Sequence, residues 1–334
     1  MINDITIDGA EGLNVEVHEE LVSSSVVTIG KYTHAQLYRD GLFSSVFRAH
    51  TLDDSTQAAN GQSRYPSLVA LKVTTPSLME LPHDSVREAR ILASCEHDHV
   101  IPLLDSFRQA GGRFVLVLPF IPYDLANLLQ KGCLNTKQIT LAMRDLFSAL
   151  AYLHTHGIIH RDVKSSNILM SSLDGPAYLA DFGIAWSSRD IASEKANEKI
   201  TDVGTTSYRA PELLFGNTGY SESLDLWAAG CVVAEATSKP HKTLFESGDL
   251  GSELALIQSI FKTLGTPTIA TWPVNAYLPR SCISTITDFI LGSSYIQGLG
   301  QDGVSRVPYT TVELYTASCF TGSSRLGQPT CLLR

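Results

Sequence analysis

Paired cysteines, excess basic charge and long apolar runs are all missing from this chain, and each absence removes a class of function. The six cysteines, Cys95, Cys133, Cys231, Cys282, Cys319 and Cys331, are scattered with no C-x-x-C spacing, so neither a zinc site nor a disulfide framework is indicated and reduced thiols are the default. A cytoplasmic and/or nuclear location is therefore expected. Lys and Arg number 25 against 34 Asp and Glu, a net charge of -9, which is the wrong sign for displacing counterions from nucleic-acid phosphates. No segment reaches the roughly 18 consecutive apolar residues of a membrane helix, and the acidic start, with Asp4, Asp8, Glu11 and Glu16, lacks a basic leader. Neither nucleic acid nor membrane is expected as a partner. Lysine disappears after Lys262, and the residues beyond Pro279 are rich in Ser, Thr and Gly without a sustained helical stripe. What remains is ordinary globular composition, 44% hydrophobic and 18% charged over 334 residues, enough for one large domain or two smaller ones.

The most informative stretch is His160 to Met170. Asp162, Lys164 and Asn167 crowd together between Ile158-Ile159 and Ile168-Leu169-Met170. The apolar flanks read as short buried strands, so the polar residues lie on a loop held at both ends and stiff enough to aim side chains. Upstream, Leu68 to Val73 reads as a strand carrying a lone Lys72, which needs an acidic neighbour if it is buried. A helix over Asp84–Leu92, with Val86, Ala89 and Leu92 on one face, offers Glu88. On residue type alone, Lys72 and Glu88 could equally face solvent, and Asn167 could be a turn amide.

Around these, Asp40-Gly41 marks a hairpin within residues 38–49, and Gly111-Gly112 joins two expected strands, Val100–Asp105 and Arg113–Leu118. Residues 51–66 read as a surface loop. Ile139 to His154 has the stripe of a long buried helix, and Asp225-Leu226-Trp227-Ala228-Ala229-Gly230-Cys231 is apolar nearly all round, as a core helix is. Ser187 to Thr201 is polar and reads as a mobile loop. The alternation at Leu13, Val15 and Val17 marks at most an accessory strand in a partly ordered extension.

In this order the motifs resemble those of eukaryotic protein kinases. His160-Arg161-Asp162 with Asn167 has the H-R-D-x-x-x-x-N spacing, Asp181-Phe182-Gly183 stands fourteen residues after Asn167, Ala210-Pro211-Glu212 is the A-P-E landmark, and Asp225 opens D-x-W-x-x-G. The form Y-R-A-P-E, followed by Leu213-Leu214-Phe215-Gly216, is similar to the CMGC group and its cyclin-dependent-kinase-like branch. Leu264-Gly265-Thr266-Pro267 and Trp272-Pro273 resemble the start of the CMGC insert. Together the resemblance spans about residues 36 to 279. It implies an α+β, bilobal protein kinase fold, with a small antiparallel β-sheet lobe bearing one main helix and a larger, mainly α-helical lobe. The expected divisions are an N-terminal extension (1–28), the small lobe (29–120), the large lobe (121–279) and an atypical tail (280–334) in which D-P-x-x-R is missing. A shifted reading frame, an unspliced intron or true divergence would each produce such an incomplete or divergent end, and Glu212 would then lack its usual arginine.

The resemblance also implies site roles. Asp162 is the base, Lys164 steadies the γ-phosphate, Lys72 holds the α- and β-phosphates, Glu88 pairs with Lys72, and Thr205 bonds Asp162 and Lys164. Asn167 and Asp181 hold Mg2+. ATP would lie among Gly41, Val46, Ala70, Lys72, Leu118, Pro119, Ile121, Asp124 and Leu169, with the Ile121 N–H as the adenine donor because the prolines beside it leave that group free. Counting back from Val46, the three glycine positions of G-x-G-x-x-G-x-V hold Arg39, Gly41 and Ser44. Thr201 suits a phosphosite whose phosphate pairs with Arg161, or is an ordinary loop threonine. The helix bearing Glu88 lacks P-S-T-A-I-R-E, so cyclin binding is not supported. The implied activity is Mg·ATP-dependent serine/threonine phosphorylation of a protein. The chain looks like the fungal kinases that activate cyclin-dependent kinases without a cyclin, which makes such a kinase a candidate substrate. A pseudokinase-like scaffold and a truncated inactive fragment are the alternatives.

Overall fold

The computed structural model describes residues 27–51, 67–249 and 251–266. The extension with Leu13, Val15 and Val17, most of the 51–66 loop, Trp272-Pro273 and the tail at 280–334 lie outside the described residues.

Alternating side-chain character dictates the first layer. Strands β1 (Thr33–Asp40), β2 (Ser44–His50), β3 (Leu68–Thr74), β4 (Asp105–Gln109) and β5 (Arg113–Pro119) form an antiparallel sheet in the order β1-β2-β3-β5-β4. Along β3, Val69 and Leu71 join Ala49, Val115 and Val117 in a small core on one face. Period two sends Ala70 and Lys72 to the other face, where Ala70 pairs with Leu118 and Lys72 with Leu116 and Val46. Helix α1 (Ser85–Ala93) covers that face. Its N-terminus is set by Asp84, whose carboxylate accepts from the Val86 and Arg87 N–H groups at 2.9 Å each.

The hairpin turn between β1 and β2 falls at Gly41, as expected, but for a different reason than left-handed backbone. Gly41 does not have positive φ; a Cβ there would lie 3.3 Å from the Ser44 carbonyl oxygen, and the Gly41 N–H donates to that same oxygen at 2.9 Å. The strand expected from Val100 begins instead at Asp105. Pro102 has no N–H for a ladder, and the residues before it are drawn elsewhere: Val100 bridges Leu179, and the Ile101 N–H donates to the Leu179 carbonyl at 3.0 Å. This connector, with Val100 and Ile101 buried and Pro102 exposed, fastens the sheet to the helical layer.

That layer is built on α3 (Thr136–Thr155), closed at its start by a reciprocal Asn135–Gln138 capping box. Ala142, Leu146, Ala149, Leu150 and Leu153 recur on its buried face. They pack with α5 (Ser223–Thr237) and with α2 (Leu125–Gln130), whose N-cap is Asp124. Between these helices run the short strands β6 (Tyr123–Asp124), β7 (Ile158–Ile159), β8 (Ile168–Met170), β9 (Ala177–Leu179) and β10 (Trp186–Ser187). β8 lies between β6 and β9, while β7 pairs with β10. Helices α4 (Pro211–Leu214) and α6 (Glu253–Leu264) pack below. Because β7 and β8 are both paired, the eight residues from His160 to Asn167 are pinned at each end.

Leu150 has no exposed surface. Leu150→Ala should destabilise the fold by about 2–5 kcal/mol through lost burial and the cavity left behind, read as a lower denaturation midpoint with an unchanged slope.

Candidate active site

The His160–Asn167 loop is shaped by a carboxylate from another element. Asp225, fully buried in the first turn of α5, accepts from the backbone N–H groups of His160 and Arg161 at 2.8 and 2.9 Å and from His154 Nε2 at 2.9 Å. This grip holds Arg161 at a φ of 69°, a left-handed conformation that a non-glycine residue keeps only when its surroundings enforce it. The His160 ring is fully buried, with Nε2 3.1 Å from the Ala180 carbonyl and Nδ1 accepting from the Asp162 N–H at 3.3 Å. Those partners require the neutral tautomer protonated at Nε2. Burial pushes the imidazole below its ordinary pKa, against the pull of Asp225 and Asp162.

The loop presents Asp162 to a cleft of about 420 Å³ bordered by Phe43, His83, Lys164 and Thr205. One carboxylate oxygen accepts from Thr205 Oγ1 at 2.8 Å; the other accepts from Lys164 Nζ at 2.8 Å and Asn167 Nδ2 at 3.1 Å. Lys164 also donates to Thr205 Oγ1 at 2.8 Å. The acid is thus fixed in orientation by three donors. Asn167 Nδ2 additionally donates to the Asp162 carbonyl at 2.9 Å, which commits its nitrogen and leaves its amide oxygen for another partner.

Lys72 Nζ meets both Glu88 oxygens at 2.7 and 2.8 Å and Asp181 Oδ1 at 2.7 Å. The lone lysine of the apolar strand therefore has its acidic neighbours. Burial alone would drive the ammonium towards neutrality, but Asp181 and Glu88 outweigh it and hold the Lys72 pKa above the usual lysine range. Lys72 holds Asp181 well below the ordinary carboxylate range, while burial lifts the deeper Glu88 against the same lysine.

Residues 40–292 match the protein kinase domain. The chain belongs to the protein kinase family. The kinase is similar to the serine/threonine-protein kinase csk1 of Schizosaccharomyces pombe, 39% identical over 64% of this chain and 69% of that protein. It is also similar to cyclin-dependent kinase 2 of Caenorhabditis elegans, 32% identical over 73% of this chain and 62% of that one. Among solved structures it resembles a chain of the yeast RNA Pol II CTD kinase CTDK-1 complex, with a TM-score of 0.58 and 26% identity over 89% of this chain and 84% of that one. These likenesses make it a serine/threonine protein kinase of the CDK-like, CMGC type with the bilobal kinase fold.

Sheet register sets how several of the residues named above lie relative to one another. Val46, Ala70, Lys72 and Leu118 share one face of the sheet, Leu169 pairs with Asp124 from below, and Pro119 ends β5. Among the described residues nothing accepts the Ile121 N–H. Arg39, at a glycine position of the phosphate-covering hairpin, reaches across to Asp124, Nη2 to Oδ2 3.2 Å. Tyr38 bonds the Pro122 carbonyl at 3.4 Å and meets Phe120 edge-on. These contacts bridge the hairpin to the hinge, residues 119–122 after β5, and the sole sign of them in the sequence is a long cation where glycine is usual.

One expectation about residues 187–201 needs correction. The segment is docked rather than free: Asp190 takes a two-point bond from Arg90 of α1 at 2.7 and 3.0 Å, and Glu194 takes one from Arg161 at 3.0 and 3.2 Å. Arg161 therefore faces Glu194 rather than Thr201, whose carbonyl accepts from Arg209 at 2.9 Å. The acids of this stretch and the arginines flanking Glu88 were the signal that composition alone could not pair. Glu212 has no cationic partner among the described residues. Its carboxylate accepts from Ser223 Oγ at 3.2 Å, and burial raises its pKa, as the missing arginine implies.

The His160 shift has a definite sign. Its contribution to stability is fully present above the unfolded value of 6.5 and is lost as pH falls from there towards the lower folded value. Lowering the pH from about 7.5 to about 5.5 should reduce the denaturant midpoint, and His160→Phe should flatten part of that slope. His83 and His97, shifted in the same direction, keep the remainder. An unflattened slope in the variant contradicts a neutral buried His160.

Proposed function

We propose that this serine/threonine kinase transfers the γ-phosphoryl group of Mg·ATP to a protein hydroxyl, with Asp162 orienting that hydroxyl and receiving its proton. The supporting observation is the placement of Asp162 at the cleft, held by Thr205, Lys164 and Asn167, with the Lys72–Glu88–Asp181 cluster near enough for Asp181 to feel the charge of Lys164. Phosphoryl transfer asks the protein to position groups and neutralise charge rather than to form bonds. Lys72, kept cationic between two carboxylates, would hold phosphate oxygens, and Lys164 sits where it can neutralise charge next to the base.

The donor set fits magnesium. Asn167 has its amide oxygen left over, and Asp181 has Oδ2 left over once Oδ1 binds Lys72. Mg2+ keeps several waters and takes substrate phosphates alongside one or two protein oxygens, so two such oxygens suffice. When bound, the ion would neutralise charge on the phosphates. Val46, Ala70, Leu118 and Leu169 would bracket the adenine, with the Ile121 N–H as donor.

For the protein substrate we favour the activation segment of a cyclin-dependent kinase. Support comes from the CDK-like relatives, from the absence of P-S-T-A-I-R-E, and from the two-point bond that fastens α1 to the chain's own Asp190.

Asp162→Asn should lower kcat by about 10²–10⁴ through loss of the general base, measured as Mg·ATP-dependent labelling of a generic protein substrate, with nucleotide binding retained. Equal rates would overturn the assignment. Mass spectrometry of a catalytically dead cyclin-dependent kinase after incubation should place phosphate in its activation segment; phosphate confined to other sites removes that substrate. Arg39→Gly should speed ADP release in stopped-flow displacement by opening the bridge to Asp124, and unchanged release would show that the bridge does not gate the cleft.

A further inference from the structure

Three cations meet behind the active site. Arg87 on α1, Arg161 in the His160–Asn167 loop and Lys199 in the activation segment, which runs from Asp181 to Glu212, are all buried, the two arginines almost completely. Among the described residues, Glu194 is the carboxylate set between the arginines. It binds Arg161 through both oxygens and lies 3.9 Å from Arg87 Nη1. Its placement is built: the Glu194 carbonyl accepts from Trp186 Nε1 at 2.8 Å, and the preceding Ser193 Oγ accepts from the Ser187 N–H at 3.1 Å. Arg87 also donates to the Ala192 carbonyl at 3.4 Å and to the Pro82 carbonyl. Lys199 lies over the Trp186 and Tyr220 rings, at 4.9 and 5.0 Å from their centroids. Burial alone would raise the Glu194 pKa, but bonds and charge from Arg161 more than offset it, keeping the carboxylate ionised.

The positions of these arginines matter because of their neighbours. Arg87 adjoins Glu88, which holds Lys72; Arg161 adjoins Asp162. A single anion between the two arginines therefore ties helix α1 to the catalytic loop. A two-point carboxylate on a buried guanidinium is a strong and directional contact, whereas removing it would leave buried cations uncompensated. The residues after it give Arg161 no anion of their own: Ile200 and Val203 turn into an apolar cluster with Ile159, Ile184 and Trp186, and Thr201 engages Arg209 through its backbone carbonyl.

We propose that Glu194 is a positioning residue that supplies from within the chain the anion joining Arg87 to Arg161, so that the active site assembles with no phosphate on the activation segment. The proposal rests on the residue roles given above for Lys72, Glu88 and Asp162.

The test uses the full chain, treated with a broad-specificity phosphatase and shown by intact mass to carry no phosphate, with casein as acceptor. Unphosphorylated wild type should be as active as untreated protein. Glu194→Gln should lose at least tenfold in kcat with the KM for Mg·ATP within about twofold, Glu194→Asp should recover part of that loss, and Thr201→Ala should match wild type. Loss of activity on dephosphorylation, or wild-type kcat in Glu194→Gln, overturns the proposal. Hydrogen exchange gives a second readout that needs no catalysis. Residues 188–203 and α1 should be protected in wild type and exchange faster in Glu194→Gln at 25 °C, with the global melting transition still cooperative; identical exchange also overturns it. Absence of transfer by wild type in every phosphorylation state, with the exchange difference intact, would instead count against the catalytic roles and leave the latch supported.

Discussion

A carboxylate with no solvent exposure holds the active site in shape. Asp225 accepts from two consecutive backbone N–H groups, those of His160 and Arg161, and thereby fixes the chain direction immediately before Asp162. Peptide N–H groups in a buried turn need acceptors, and here one side chain from α5 serves both. The left-handed Arg161 follows from that constraint, since the conformation turns the guanidinium inward towards Glu194 and the next side chain, Asp162, outward to the cleft. Without the α3–α5 packing that carries Asp225 and His154 to this point, the loop would have no reason to keep a strained geometry.

Sheet, helix and loop are coupled by charge at Lys72. Lys72, Glu88 and Asp181 come from a strand, a helix and a loop, and each is a poor occupant of its site without the others. Helix α1 is held at its inner end by that cluster, at its N-terminus by the Asp84 N–H bonded to the Gly183 carbonyl at 3.0 Å, and along its flank by Asp190 and Glu194. Catalytic geometry and activation-segment docking are thus parts of one network, in which deletions at neighbouring positions should be non-additive.

Much of this was legible in the sequence, and the reason is spacing. His160, Asp162, Lys164 and Asn167 lie within one loop between two apolar flanks, and Asp181 and Thr205 follow at separations that local structure preserves. Lys72 was legible because an apolar strand cannot bury one charge without a partner. The activation segment was not. Ser187 to Thr201 is polar and without period, and whether such a stretch swings freely or docks depends on charges from distant elements, Arg87, Arg90 and Arg161, that meet it only in three dimensions. The Val100–Leu104 stretch departs from expectation for a related reason: its composition suits a strand, yet Pro102 and the reach to Leu179 make it a connector. Arg39 was visible as a departure from glycine, but its span to Asp124 depends on how the hairpin lies over the hinge.

Under the role proposed for Asp162, Asp225 acts only by placing that residue and takes no part in the chemistry itself. A double-mutant cycle in kcat, using Asp225→Asn, Asp162→Asn and the pair, tests this most directly. If Asp225 acts through Asp162, each single variant is impaired and the double variant is no slower than Asp162→Asn alone. Losses that multiply in the double variant would contradict the account.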